Sequence, residues 1–82
     1  MKHNLKTLPV YFERVKAFDK RFEIRKNDRG FQAGDTLVLE EWTEKEGYTG
    51  RFLTCQVTYV LHGFEGLADG YVALSINITP SH

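Results

Sequence analysis

Hydrophobic and polar residues alternate along most of the chain, which is the pattern of strands with one buried and one solvated face. This alternation predicts strands over residues 20–26, 36–42, 51–61 and 71–78, with a short first strand over 2–6. The odd positions from 53 to 61 and the even positions from 72 to 78 are apolar, so these are expected to face the core. Glycine-rich segments at 46–50 and 62–70 predict a hairpin loop and a longer connection.

One early segment has helical periodicity instead. Apolar residues recur at spacings of three and four between Leu8 and Phe18, which predicts a helix over roughly residues 8–17. Thr7 is the expected N-cap, and Pro9 is tolerated in the first turn because its missing N–H would have no partner there.

The predicted order is β-α-β followed by three more strands. The fold class is therefore α+β and mostly β: a small, partly closed, mostly antiparallel barrel of five to six strands, with one main helix near the N-terminus. Closure is expected because it removes exposed strand edges. At 82 residues the chain is expected to be one domain, residues 1–82.

Several features predict a cytoplasmic protein. There is no apolar run of 18 residues, so no transmembrane helix and no membrane partner are expected. The first ten residues lack the apolar core of a secretory signal. Cys55 is the single cysteine, so no internal disulfide can form, which is typical of a reducing compartment.

Charge is distributed unevenly although the net charge is zero. Residues 1–29 hold nine basic and four acidic residues, whereas residues 30–82 hold two basic and seven acidic ones. Such asymmetry favours a polyanionic partner. The alternative is that the two halves interleave in the fold and neutralise each other.

The segment 16–29 is the densest in basic residues and gives the candidate site. Arginine offers paired donors suited to phosphate, lysine offers a point charge, and a row of them can follow a nucleic-acid backbone. If they are exposed, Tyr11, Phe31, Tyr48 and Tyr71 would supply stacking surfaces for RNA. We expect phosphate contacts from Lys20, Arg21, Arg25, Lys26 and Arg29, and base or sugar contacts from Glu23 and Asn27.

A plainer interpretation of the same residues stays open. Arg21, Glu23 and Arg25 share one face of the predicted strand, and could be a mutually paired, solvated face of little energetic value. The neighbouring cations favour an ionised Glu23, which argues against a general-base role.

Other chemistries have little support in the sequence. His3, His62 and His82 are far apart and no Cys-x-x-Cys pair exists, so neither a metal nor another cofactor is expected. Cys55 has core parity on its strand and is expected to be a small buried hydrophobe.

The segment DKRFEIR, residues 19–25, resembles the central motif of the activating-signal-cointegrator homology (ASCH) domain, Gly-x-Lys-x-x-Glu-x-Arg. Lys20, Glu23 and Arg25 match this motif, and Phe18 stands at its Gly position. The blocks HNLKTLPVYFERVK, FEIRKNDRGFQAGDTLVLEEW, GYTGR and GYVALSI resemble a small bacterial and phage subgroup of unknown function within that family.

The resemblance implies a PUA-like fold, a small β-barrel beside one or two helices, and RNA binding in a cleft next to the barrel. Lys20, Glu23 and Arg25 would line that cleft, with His3 and Lys6 of the first strand as neighbours. The resemblance also allows a hydrolase, because small members of one branch of the family hydrolyse acylated cytidine with a Lys and a Thr of this motif. Lys20 matches the Lys, but Glu23 replaces the Thr.

Three functions are therefore carried forward. The first is an RNA-binding module, which is expected ahead of an enzyme. The second is a small amidohydrolase of an acylated nucleoside, with Lys20 and Glu23 as the working pair. The third is a protein-interaction or phage accessory domain whose charged face meets an acidic partner.

Overall fold

The computed structural model describes residues 1–79, in which five strands and one short helix form a curled half-barrel. The elements are β1 (Lys2–Thr7), α1 (Pro9–Lys16), β2 (Phe22–Lys26), β3 (Thr36–Thr43), β4 (Gly47–Leu61) and β5 (Tyr71–Ile78). This confirms the mostly-β class with one N-terminal helix. Within residues 1–79, no helix has both the length and the apolar character needed to cross a membrane.

The five strands form one sheet in the order β1-β3-β4-β5-β2. Three of the four pairings are antiparallel, and only β1 runs parallel to its neighbour β3. The first two strands of the chain are thus the two outer strands of the sheet. The curl of the sheet brings them towards each other, and the helix that connects them lies beside the gap.

Arginine side chains bridge this gap, which we call the seam. Arg25, on β2, donates from Nη2 to the carbonyl of Lys6 at 2.9 Å, and Arg29 donates from Nη1 to the carbonyl of Asn4 at 2.8 Å. Both acceptors lie on β1, two residues apart, so both carbonyls point to the side that β3 does not occupy. The seam is therefore joined by side chains rather than by a ladder of backbone hydrogen bonds.

The core follows the predicted alternation over much of the sheet. Leu37, Leu39, Cys55, Val57 and the even positions of β5 from Val72 to Ile76 are all buried. The pattern fails at Tyr59, which was expected to face inward and is 60% exposed. A register shift between Val57 and Tyr59 adds one residue to β4, which turns the following side chains to the opposite face.

Two predicted boundaries are wrong. The turn before β4 covers residues 44–46, and β4 begins at Gly47 rather than at Arg51. Thr7 is not the N-cap of the helix, because β1 continues through it in register with Glu41. Leu8 occupies the N-cap without a side-chain hydrogen bond.

The helix buries only part of its apolar stripe. Phe12 and Val15 are almost fully buried, whereas Leu8, Tyr11 and Phe18 are about half exposed. The exposed residues at the start of the helix are therefore available to line a site.

The helix ends in a tight turn that has Phe18 in the left-handed region, with φ of 64°. Phe18 N–H donates to the Val15 carbonyl and Asp19 N–H to the Arg14 carbonyl, both at 3.0 Å, which is the hydrogen-bond pattern of a Schellman turn. Glycine is usual at this position because a side chain is strained there. Phe18 is the residue that stands at the Gly position of the motif.

We predict that Phe18→Gly stabilises the protein by about 1 kcal/mol relative to Phe18→Ala, since only glycine relieves the left-handed strain. The comparison removes the aromatic ring in both variants, so it isolates the backbone effect. Urea unfolding of the two variants measures it. Equal free energies of unfolding would show that the turn is not strained at Phe18.

Candidate ligand-binding cleft

A cleft of about 390 Å³ opens at the seam. Its walls come from the end of β1, the start of α1, and β2 with Lys20 just before it. They comprise Lys6, Thr7, Leu8, Tyr11, Lys20 and residues 22–25. The cleft therefore exists only because two outer strands and the helix between them converge at one place.

Glu23 is the central polar group of the cleft. It is only 3% exposed, and each of its carboxylate oxygens accepts a hydrogen bond from a cation. Lys20 Nζ donates to Oε1 at 2.9 Å, and Arg25 Nε donates to Oε2 at 3.0 Å. Two cations thus offset the cost of removing this carboxylate from water.

This burial corrects the interpretation of Arg21, Glu23 and Arg25 as a solvated face. In register with β2, Glu23 lies opposite Leu74, which is fully buried, so both side chains point to the inner face of the sheet. Phe22 and Ile24 consequently point outward, at 47% and 52% exposure. Alternation was correct along β2, but the polar face is the inner one.

Lys20 is held in place by several contacts at once. Its ammonium donates to the Phe22 carbonyl at 2.7 Å as well as to Glu23. It lies 4.9 Å from the centroid of the Phe22 ring and 5.6 Å from that of Tyr11. The cation therefore sits between two partly exposed aromatic rings, an arrangement stabilised by cation–π attraction.

The cleft brings together only some of the predicted site residues. Lys6, Lys20, Glu23 and Arg25 line it. Lys6 Nζ also lies 4.7 Å from the Trp42 ring. Of the four aromatic residues predicted to stack, Tyr11 lines the cleft, whereas Tyr48 and Tyr71 are exposed outside it. The prediction is wrong for Phe31, which is buried in the core.

The remaining predicted residues lie outside the cleft lining. Arg29 is engaged in the seam, and Asn27 accepts a hydrogen bond at Oδ1 from the Phe31 N–H. Lys26 is exposed at the end of β2, and Arg21 is exposed just before it. Whether any of these contacts RNA stays a prediction.

The burial of His3 does not favour its predicted contact with RNA. This residue is 6% exposed, its ring lies edge-on to that of Phe31, and its Nε2 is 2.9 Å from Asp35 Oδ2. This hydrogen bond is the largest influence on the pKa of Asp35, which is lowered to about 2 against the opposing effect of burial. The Gln32 N–H and the amino group of Met1 also donate to Asp35 and lower the pKa further.

The sequence reasoning missed three apolar residues of the cleft, Leu8, Phe22 and Ile24. Periodicity places Leu8 on the apolar stripe of the helix and Phe22 and Ile24 together on one face of β2, yet each is about half exposed. A signal was present in the motif, because residues 22 and 24 flank a glutamate that the resemblance to the ASCH domain places in a cleft. If Glu23 points to the inner face of β2, where the cleft floor lies, alternation turns Phe22 and Ile24 to the outer face, away from the core.

Cysteine and metal chemistry find no support in residues 1–79. Burial raises the pKa of the Cys55 thiol to about 11, so it is an unreactive core residue, as predicted. No group of three His, Cys, Asp or Glu side chains in this part of the chain is arranged to hold a metal ion. His82 lies outside the described residues.

Comparison with known proteins gives a family and a fold. The model of a family described as a domain of unknown function, DUF3850, matches residues 2–76. An uncharacterized 12.9 kDa protein of Escherichia phage P2 is 40% identical over 72 residues, which is 88% of this chain and 64% of the phage protein. The chain thus spans less than two thirds of that relative.

A solved structure with a similar fold is that of the hypothetical protein PH0355, with a TM-score of 0.65. The alignment covers 96% of this chain and 100% of the other at 20% identity. At this level of identity the similarity shows the shared fold alone.

Glu23→Gln should destabilise the protein by about 3 kcal/mol, because it leaves two poorly solvated cations without their counter-charge. The matched control is Glu13→Gln, which breaks the solvent-exposed ion pair with Arg51 at 2.7 Å and should have a small effect. Urea unfolding at neutral pH measures both. Similar losses for the two variants would contradict a special role for the buried pair.

Asp35 should make stability depend on pH in the acidic range. Its pKa is about 2 in the folded protein and about 3.9 in an unfolded chain. The unfolded state therefore binds more protons between these values, and the stability contributed by Asp35 is lost as pH falls from about 5 to 2. Thermal unfolding of the wild type and Asp35→Asn should differ most at pH 6 and converge near pH 2; a constant difference would refute this.

Proposed function

We propose that this chain, which belongs to the DUF3850 family, binds single-stranded RNA by accepting one unpaired nucleotide into the cleft at the seam. The observation that carries the proposal is the combination of partly exposed aromatic rings with a buried, doubly paired carboxylate. Apolar walls with a few fixed polar groups are the usual form of a small-ligand site.

The aromatic rings are suited to a nucleobase. Tyr11 and Phe22 are each about half exposed and flank the same lysine, so a planar base could stack on either ring. The volume of about 390 Å³ is at the lower end of the range for small-ligand pockets, which suits one nucleotide rather than a length of helix.

The charged groups supply polarity for both ends of a nucleotide. Ionised Glu23 has acceptor capacity only, so its remaining lone pairs suit the amino group of a base. Three cations, Lys6, Lys20 and Arg25, line the cleft against this one anion, which leaves the lining positive. A positive cleft favours a ligand that carries phosphate.

We also propose that the chain is related to the ASCH domain and its PUA-like superfamily. In support, the matched motif residues Lys20, Glu23 and Arg25 meet in one cleft beside a half-barrel. Phe18 further supports the relationship, because it adopts the positive φ expected at a position where the motif has Gly. An RNA ligand and a buried cysteine also favour a cytoplasmic location, which belongs to the same proposal.

The hydrolase alternative rests on the 2.9 Å contact between Lys20 and Glu23. The surroundings favour binding over catalysis, because the Lys20 ammonium already donates to the Glu23 carboxylate and to the Phe22 carbonyl. A lysine held as an ammonium between a carboxylate and a carbonyl is neither a nucleophile nor a base. Release of acetate from acetylcytidine would reinstate this alternative.

Tyr11→Ala should weaken binding of a short unstructured RNA by roughly tenfold, as expected for loss of one stacking partner. Tyr48→Ala is the matched control, since Tyr48 is similarly exposed but lies outside the cleft. Fluorescence anisotropy at several salt concentrations measures the affinity, which should fall linearly in logarithmic salt. Absence of binding by the wild type at low salt would refute the proposal and favour a protein partner.

A further inference from the structure

A second depression, of about 320 Å³, adjoins the cleft and shares Lys20 with it. It lies between the turn after the helix and the end of β5, and is lined by Phe18, Lys20, Arg21, Ile76, Asn77 and Ile78. Two of these six residues are cationic, one is an amide and none is acidic. This composition favours an anionic ligand, unlike the mixed charges of the cleft.

Among the arginines of residues 1–79, Arg21 alone has no carboxylate of these same residues within 4 Å. The other four each pair with an acidic side chain: Arg14 with Asp19, Arg25 with Glu23, Arg29 with Asp28, and Arg51 with Glu13 and Glu41. Since the other four arginines each have a carboxylate partner, the guanidinium of Arg21 at a depression is a candidate anion contact.

Contacts with Phe18 orient the Arg21 side chain, although no carboxylate of the described residues pairs with it. Its Nε donates to the Phe18 carbonyl at 3.4 Å, and its guanidinium carbon lies 5.9 Å from the centroid of the Phe18 ring. Its own carbonyl accepts from the Ile76 N–H at 3.1 Å, which anchors the backbone to β5. Within residues 1–79, the two terminal nitrogens of the guanidinium make no hydrogen bond.

Those two nitrogens have the geometry that phosphate recognition requires. A guanidinium donates two parallel hydrogen bonds to the oxygens of a phosphate, and these charge-assisted bonds are stronger than neutral ones. The Asn77 amide adds donors across the depression. Phe18, Ile76 and Ile78 provide apolar walls, which lower the local dielectric and strengthen the charge interaction.

We propose that Arg21 and Asn77 bind the phosphate of the nucleotide whose base occupies the cleft, with Lys20 between the two compartments. This inference rests on the proposed function, because it assigns the phosphate of the same ligand. The site is thus divided: an apolar compartment with a carboxylate for the base, and an acid-free compartment for the backbone. The left-handed turn at Phe18 contributes to the second compartment, because it positions both the ring and the carbonyl that contact Arg21.

The test combines one protein variant with one change in the RNA. Arg21→Gln should lower the affinity for a short unstructured RNA about tenfold at low salt. It should also reduce the magnitude of the slope of log affinity against log salt by about 1, the value for one lost phosphate contact. Lys45→Gln is the matched control, because it removes one positive charge from the exposed turn before β4, outside the lining of both depressions. Circular dichroism establishes that each variant is folded.

The change in the RNA is a single uncharged methylphosphonate linkage placed at each position in turn. At one position it should weaken binding to the wild type but not to Arg21→Gln, because the contact is already absent from the variant. Asn77→Ala provides a second, independent variant and should show the same insensitivity at that position.

The outcomes separate this inference from the proposed function. The phosphate site is refuted if the wild type binds RNA, Arg21→Gln binds it as Lys45→Gln does, and every methylphosphonate linkage affects the wild type and Arg21→Gln equally. The cleft proposal then stands. If the wild type binds no RNA at low salt, the proposed function fails and the phosphate site falls with it.

Discussion

The buried carboxylate of Glu23, paired with Lys20 and Arg25, determines the arrangement around the cleft. Burying it requires the inner face of β2 to be polar, so Phe22 and Ile24 must lie outside. The outward residues then meet the exposed start of the helix and form the cleft walls. Arg25 extends the same interaction across the seam to the Lys6 carbonyl, so one charge cluster shapes the site and links the two outer strands.

Such a cluster is a costly way to stabilise a small protein. A well-packed apolar group in place of a buried ion pair is often neutral or stabilising, and an 82-residue chain has little core to spare. The neighbouring rows of β5 and β4 do supply apolar packing, with Leu74, Ile76 and Val57 almost fully buried. We therefore associate the charges of the Glu23 cluster with ligand binding rather than with stability.

The strands, the helix and the buried rows of β5 (Val72, Leu74, Ile76) and of β4 (Cys55, Val57) could be predicted from the sequence, because alternation reports directly on strand faces. The same alternation does not show which face of a short strand is inward. Glu23 lies on the buried face and Phe22 on the exposed one, the reverse of what their polarity suggests. A bulge changes parity without a sequence signal, and this misplaced Tyr59. The roles of His3, Arg25 and Arg29 depend on partners 19 to 32 residues away, which no local pattern contains.

The arginine bridges of the seam have a further consequence for how the chain meets copies of itself. An outer strand with free carbonyls is a template on which a strand from another molecule can add, the first step of β-aggregation. On β1, the outward carbonyls of Asn4 and Lys6 are already taken by Arg29 and Arg25. The positive charge that the first third of the chain concentrates thus also protects the sheet from growing beyond one molecule.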